Sequence, residues 1–165
     1  MLLEKKCIDC IWSCVSINEK RKKIYAFTES YYMNSVAIVV LADSPYQTQR
    51  DLIGRTAGIL NGYMATEKIT KYGIKVKPFD GVLQILPAVA KKTGVDAAIM
   101  NMPYARYYMR QSLGMFRLIE SDFGQYPFGV AFRHDDTARA DRLSSAIRAM
   151  INDGFVQGLH RKWFG

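Results

Sequence analysis

Residues 56–101 read TAGILNGYMATEKITKYGIKVKPFDGVLQILPAVAKKTGVDAAIMN, and they alternate between two periodicities. Thr56 to Leu60, Ile74 to Pro78 and Val95 to Asn101 are short apolar runs of strand type. Between them, Ala65 to Tyr72 and Gly81 to Lys92 have helical composition. In the second of these, Val82, Leu83, Leu86, Val89 and Ala90 fall on one face at helical spacing. Asp80 is its expected N-cap, Gly94 its expected stop, and Pro87 predicts a kink. Strand, helix, strand, helix, strand in this order predicts an α/β fold with a largely parallel sheet.

Outward from this stretch the alternation continues. Ile8 to Trp12, Ile24 to Phe27, Ala37 to Leu41, Phe116 to Ile119 and Phe128 to Phe132 read as strands, and Pro103 to Gln111 as a helix with Pro103 in its first turn. The last third differs: helices over Ala138 to Asn152 and Gly154 to Trp163 follow one another with no strand between. Ala140, Leu143, Ile147, Met150 and Ile151 form an apolar stripe that must pack on a sheet built elsewhere, and residues 1–41 are the natural source. The chain is therefore expected to leave one lobe near residue 42, build a second, and return near residue 128. The first lobe is then 1–41 plus 128–165 and the second 42–127, with two crossings that make a hinge.

The 165 residues carry 23 Lys+Arg against 15 Asp+Glu, a net charge of +8, with 49% hydrophobic and 23% charged residues. That balance is globular and excludes a disordered chain. The apolar run Val36 to Ala42 is far short of the roughly 20 residues a membrane span needs. Glu4, Lys5 and Lys6 interrupt the apolar start, so no secretory signal is legible, and the chain either stays where it is made or begins further upstream. Cys7, Cys10 and Cys14 are an odd set with no nearby histidine, which favours small half-buried residues over a disulfide framework or a metal site. The cations are scattered apart from Lys20 to Lys23, which reads as a solvated face and not as a nucleic-acid surface.

Three places can carry a ligand. Ser13-Cys14-Val15-Ser16 leads into Arg21, and Ser16 with Glu19 has capping-box spacing. Free N–H groups, the Ser13 and Ser16 hydroxyls and the planar Arg21 guanidinium can converge on a carboxylate; the alternative is that Ser16 only caps and Arg21 is one more solvated cation. Gly62-Tyr63-Met64 is a strand-to-helix Gly turn whose amides suit an anion, or a plain connection. Asn101 ends a buried strand, where open α/β sheets present ligand contacts, or it hydrogen-bonds the turn at Met102-Pro103. No arrangement of nucleophile, base and acid is found, so no catalytic residue, metal or cofactor is expected.

Taken in order, Ile8-Asp9-Cys10-Ile11-Trp12 with Ser16-Ile17-Asn18-Glu19-Lys20-Arg21, Phe27-Thr28-Glu29-Ser30-Tyr31-Tyr32, Asp51-Leu52-Ile53-Gly54-Arg55 leading into Gly62, Val95-Asp96-Ala97-Ala98, and Asp153-Gly154 with Lys162-Trp163-Phe164-Gly165 form a specific set. Over the whole chain it resembles the bacterial extracellular solute-binding proteins of family 3, the amino-acid-binding components of ABC importers. The resemblance implies a two-lobe periplasmic-binding-protein-like fold of type II that closes on a polar amino acid and presents it to a membrane permease. It implies a periplasmic location, no catalysis and no cofactor. It places Ser13, Cys14 and Ser16 in the first-lobe site, Arg21 on the ligand's α-carboxylate, Gly62, Tyr63 and Met64 as second-lobe contacts, and the hinge at about Leu41-Asp43 and Pro127-Val130.

The sequence departs from the family pattern in three ways. The family's first βαβα segment, with its signal peptide, lies before the point where this chain starts, which implies an N-terminally incomplete first lobe with exposed edges. Asn101 stands where an acid usually holds the α-ammonium, and Met64 stands where a hydroxyl residue is usual. An amide accepts a hydrogen bond from an ammonium but offers no charge to offset its desolvation. These departures leave a ligand without an α-ammonium, a non-binding relic, a sensor or partner-binding module, and a cyclohexadienyl-dehydratase-like enzyme as rival expectations.

Overall fold

The computed structural model describes residues 2–164. Met1 and Gly165, the latter closing the Lys162-Trp163-Phe164-Gly165 motif, lie outside the described residues. In chain order the elements are α1 (Glu19–Lys22), β1 (Tyr25–Phe27), β2 (Tyr32–Leu41), a 3-10 turn (Gln49–Leu52), β3 (Thr56–Leu60), α2 (Thr66–Lys71), β4 (Lys75–Phe79), α3 (Val82–Ala90), β5 (Ala97–Asn101), α4 (Met102–Gln111), β6 (Phe116–Ile119), β7 (Gln125–Phe128), β8 (Ala131–Arg133), α5 (Thr137–Asn152) and α6 (Phe155–Phe164). The chain divides into two compact units, Met1–Asn34 with Tyr126–Gly165, and Ser35–Gln125.

The second unit is built on a sheet ordered β4-β3-β5-β2-β6. β3 runs parallel to β4 and β5, as strands joined through α2 and α3 must. β2 is antiparallel to both β5 and β6, with Ile38 opposite Ile99 and Ile119. The sheet is therefore mixed, not largely parallel as expected, because β2 enters from the other unit and no helical crossover fixes its direction. Val36 to Val40 are at most 2% exposed, which is why this strand reads as a continuous apolar run. On one face Ile85, Leu86 and Val89 of α3 and Ala105 of α4 pack on Ala37, Val39, Ala98, Met100 and Phe116. Gly58 lets α3 approach: a Cβ there would sit 2.8 Å from Ile85 Cγ2. The N-cap of α3 is Gly81 and not Asp80, and the helix runs through Pro87.

The first unit has less to pack. β1 and β8 pair antiparallel, Ala26 opposite Phe132, and the stripe of α5 meets them. Ala140 and Ile147 join Val130 and Phe132 in a small cluster, edged by Ala26, Tyr31, Leu143, Met150 and Ile151. A polar relay ties β1 to α5 and β8. Thr28 Oγ1 accepts the Val130 N–H at 3.0 Å, and Ser144 Oγ accepts the Glu29 N–H at 3.0 Å while donating to Ala140 O. Glu29 pairs in turn with Arg148.

Several boundaries move. The unit changes at Asn34/Ser35 and Gln125/Tyr126, not after Leu41 and before Phe128, because Val36 to Leu41 pair with β5 and β6. Ile8 to Trp12 is not a strand; Ile11 alone bridges to Ala131. The Arg133 guanidinium holds the Leu3 and Ile8 carbonyls, and Lys6 turns with φ +57°, so the segment bends away from any ladder. The expected strand Phe128 to Phe132 is split between β7 and β8. Gly129 N–H donates to Val15 O there, and Val130 N–H to the Thr28 hydroxyl, in place of ladder partners.

Candidate functional site

In the first unit, Ser16 is 7% exposed and bridges Phe128, while Ile17 N–H donates to Pro127 O at 2.8 Å. This pairing takes Ser16 out of the capping position. The N-cap of α1 is Asn18, whose Oδ1 accepts the Arg21 N–H at 2.7 Å, so the expected Ser16–Glu19 capping box is corrected to an Asn18 cap. Ser16 instead acts through its carbonyl, which accepts from Arg21 Nη1 at 3.0 Å. That bond holds the guanidinium at the Ser16 carbonyl and uses one of its five N–H donors. Cys14 is half-buried with φ +50°, a left-handed turn that places the Ser13-Cys14 step at a bend. Ser13, Cys14, Ser16 and Arg21 thus lie on one short loop-to-helix segment.

In the second unit, Gly62 has φ +68° and open space around it, so its conformation and not crowding calls for glycine. The Tyr63 amide, one of the donors expected to face an anion, is engaged by Leu60 O at 3.0 Å. α2 itself starts only at Thr66. The contribution of this turn is instead a side chain: the Tyr63 hydroxyl donates to Asn101 Oδ1 at 3.1 Å. Asn101 occupies the N-cap position of α4 without capping it. Its amide oxygen accepts from Tyr63, in the turn beyond the end of β3. Met64 is half-buried beside them in sequence. Tyr63 and Asn101 are brought together; Gly62 and Met64 frame the turn that carries Tyr63.

At the opposite ends of the same strands lies a polar cleft of about 320 Å³ that no sequence pattern signalled. Tyr46 Oη donates to Asp96 Oδ1 at 3.0 Å, and Thr56 N–H donates to Asp96 Oδ2 at 2.9 Å. Burial, reinforced by the bond to Asp96, holds the Tyr46 phenol above its ordinary range. Arg117 Nη2 donates to Ser44 O at 3.0 Å and anchors the 42–46 loop. Both Asp96 oxygens being occupied, the cleft ties β3, β5 and the loop together. The aspartate in Val95-Asp96-Ala97-Ala98 is explained by this role. Asp51 in the 51–55 motif has a similar one, its Oδ2 accepting the Gln47 and Thr48 N–H groups, each at 2.8 Å.

With this geometry in place, comparison with known proteins is informative. The model of the bacterial extracellular solute-binding proteins, family 3, matches residues 1–165. The arginine-binding extracellular protein ArtP of Bacillus subtilis is 28% identical over 168 residues, covering 98% of this chain and 65% of ArtP. The histidine-binding periplasmic protein of Escherichia coli is 28% identical over 175 residues, covering 98% of this chain and 66% of that protein. Among solved structures, a mutant of ArgBP from T. maritima superposes with a TM-score of 0.86 at 30% identity, covering 99% of this chain and 72% of that one. The chain thus spans about two thirds of the length of the relatives it matches, and those relatives are binding proteins. Matched from residue 1 to residue 165, with an α/β architecture divided into two units, this chain belongs to the bacterial extracellular solute-binding proteins, family 3.

Proposed function

We propose that this chain binds a polar amino acid or a related small carboxylate and delivers it to an ABC-type importer without chemical change. The observation that carries this reading is the family match over the whole chain, together with relatives named for arginine and histidine binding. In this proposal Arg21 is the carboxylate anchor, pre-oriented by its bond to Ser16 O, with Ser13 and Cys14 beside it. Gly62, Tyr63, Met64 and Asn101 form the second set of contacts. The permease is the partner and the location is extracytoplasmic, as the family implies. No helix among the described residues is long and apolar enough to cross a membrane.

A second reading concerns the ligand's ammonium end. The Asn101 carbonyl already accepts from a neutral phenol, and neither Tyr63 nor Asn101 supplies negative charge. Such a pair suits a hydroxy or keto acid at least as well as an α-amino acid.

The test is a thermal melt of the chain against amino acids and their keto-acid counterparts. A cognate ligand at a hundredfold excess over its Kd adds about 2.7 kcal/mol and raises the midpoint. A flat panel on a cooperative melt removes the binding function and favours a relic or a partner-binding module. Arg21→Ala then identifies the anchor: losing a charge-assisted bond of about 1.5–3 kcal/mol weakens binding roughly ten- to hundredfold. An unchanged Kd takes Arg21 out of the site. Asn101→Asp should raise the preference for α-amino over α-keto acids, and an unaltered ratio discards the second reading.

A further inference from the structure

The cleft beside the starts of β3 and β5 has walls that are already fixed. Asp96 accepts from the Tyr46 hydroxyl at 3.0 Å and from the Thr56 N–H at 2.9 Å, while Arg117 Nη2 pins the 42–46 loop at Ser44 O, 3.0 Å away. Its volume of about 320 Å³ suits a small molecule held in a preformed site. The floor is apolar. Leu41, Val89 and Val95 line it, the last two only 1% and 4% exposed.

The charged groups around this floor are of two kinds. Most are committed to the fold: Asp96 holds the bonds just given, and Arg117 serves the Ala42 and Ser44 carbonyls. Lys77 Nζ donates to Thr93 O at 3.1 Å, and the Arg55 guanidinium lies 5.5 Å over the Tyr46 ring. Two are not committed. Asp43, on the loop after β2, and Lys92, on the turn after α3, both line the cleft. Neither side chain has a hydrogen bond or ion pair among the described residues, with each other or with any neighbour. One carboxylate and one ammonium thus flank an apolar floor from different elements.

Lys92 also occupies a position that favours glycine. It holds φ +52°, its N–H donating to Val89 O at 3.1 Å and the Thr93 N–H to Ala88 O at 3.0 Å, the left-handed turn that commonly closes a helix. Glycine fills such a position without a Cβ penalty, and here a lysine stands in it. Its side chain is exposed and unpaired, so neither packing nor an ion pair within the fold accounts for the choice. What lysine adds there is a cation at the rim of the cleft.

We propose that this cleft is a second ligand site, separate from the amino-acid site proposed above, and that it takes a small ω-amino acid. The ammonium meets Asp43, the carboxylate meets Lys92, and the methylene chain covers Leu41, Val89 and Val95. An α-amino acid carries both charges on one carbon and would leave that floor bare. The test titrates the isotope-labelled full chain with δ-aminovalerate, valerate and pentylamine, read by amide NMR shifts. The Ser44, Gly94 and Asp96 amides should shift saturably with δ-aminovalerate, at a Kd at least tenfold below those of the two single-charge compounds. Asp43→Asn should reduce δ-aminovalerate to the affinity of valerate, and Lys92→Gly to that of pentylamine. Lys92→Gly should also melt no lower than the parent, because it relieves the turn. Equal affinities for the three compounds, no saturable shift at these amides, or δ-aminovalerate binding untouched by Asp43→Asn and Lys92→Gly overturns the proposal. Shifts confined to the surroundings of Arg21 would place the compound in the amino-acid site, which overturns this inference and supports that reading. The amino-acid melt above tests that reading independently, so either can fail alone.

Discussion

The two units solve the same packing problem with different means. The second packs helices on the sheet ordered β4-β3-β5-β2-β6 and buries Ile38 and Ile99 completely at its centre. The first sets α5 against the two short strands β1 and β8 and keeps Val130, Phe132, Ala140 and Ile147 as its buried cluster. Among the described residues, eight of the thirteen large apolar side chains left exposed belong to the first unit: Leu2, Ile8, Trp12, Ile24, Met33, Phe155, Leu159 and Trp163. A two-stranded sheet alone is marginal, so the first unit depends on its polar relay through Thr28 and Ser144. The second unit can rest on area alone, each fully buried aliphatic side chain contributing about 1.5–3 kcal/mol. Stability should accordingly be graded across the chain.

The largest test of that contrast deletes equal atoms from each core. Ile99→Ala, at 0% exposure on a strand flanked on both sides, should cost about 4–5 kcal/mol, the upper end of the isoleucine range. Ile147→Ala, at 1% exposure in the small cluster, should cost about 2–3 kcal/mol, because thin surroundings collapse more readily into the gap. Urea unfolding followed by fluorescence measures both. Equal costs would mean that the first unit is packed as tightly as the second.

Adding an atom sharpens the same comparison. A Cβ at Gly58 meets Ile85 Cγ2 at 2.8 Å and the Phe79 ring at 3.1 Å, both attached to the helix-on-sheet core. Gly58→Ala should therefore cost about 1–3 kcal/mol through overpacking. A Cβ at Gly129 also meets an atom at 2.8 Å, but that atom is Ile17 Cδ1, the end of a half-buried side chain able to rotate. The fixed neighbour there is Thr28 O at 3.2 Å. Gly129→Ala should cost less than Gly58→Ala in the same urea experiment, and the reverse order would show that the first unit is the more rigid of the two.

What was legible in the sequence follows the same division. Thr56–Leu60 and Phe116–Ile119 are read to the residue, since each is a short apolar run bounded by polar or glycine signals. β2 is recognised only from Ala37, because Tyr32 to Ser35 mix aromatic, amide and hydroxyl groups before the buried run begins. The first unit misleads more, its ordering being done by single long-range bonds. Ile8 to Trp12 has the composition of a strand but only one bridge to form, and Phe128 to Phe132 is interrupted by bonds to Val15 and Thr28. Ser16-x-x-Glu19 has the spacing of a cap, yet burial against Phe128 hands that role to Asn18. Of the candidate site, the Tyr63–Asn101 contact was half legible: Asn101 ends β5 and Tyr63 sits in the turn just past the end of its parallel neighbour β3, which brings the two near each other.

The caps give a smaller effect. Asn18→Ala removes the acceptor of the Arg21 N–H and should cost about 0.5–2 kcal/mol. The loss belongs to the four-residue α1, so hydrogen exchange should accelerate at Arg21 and Lys22 before any change reaches β3 or β5. Faster exchange in the second unit would mean that the two units open together.

The smallest effect separates two carboxylates by what holds them. Asp51 lies below its ordinary range because the Thr48 and Gln47 backbone N–H groups donate to it. Glu19 lies below its range chiefly through its hydrogen bond and charge pairing with the Lys22 side chain, Nζ to Oε1 at 2.8 Å. In each case the folded value is the lower one. The contribution to stability is therefore complete above the unfolded value, about 3.9 for Asp and 4.3 for Glu, and is lost as pH falls through the folded value. Salt distinguishes them. The ammonium of Lys22 is exposed and is screened within about 3 Å at 1 M salt, whereas the backbone donors of Asp51 are fixed neutral dipoles. Carboxyl-carbon NMR titrations at 0.05 M and 1 M NaCl should show the Glu19 midpoint rising toward its ordinary value while the Asp51 midpoint stays depressed. If both rise together, the Asp51 bonds are as loose as a surface ion pair, and the 3-10 turn at Gln49–Leu52 is no better ordered than α1.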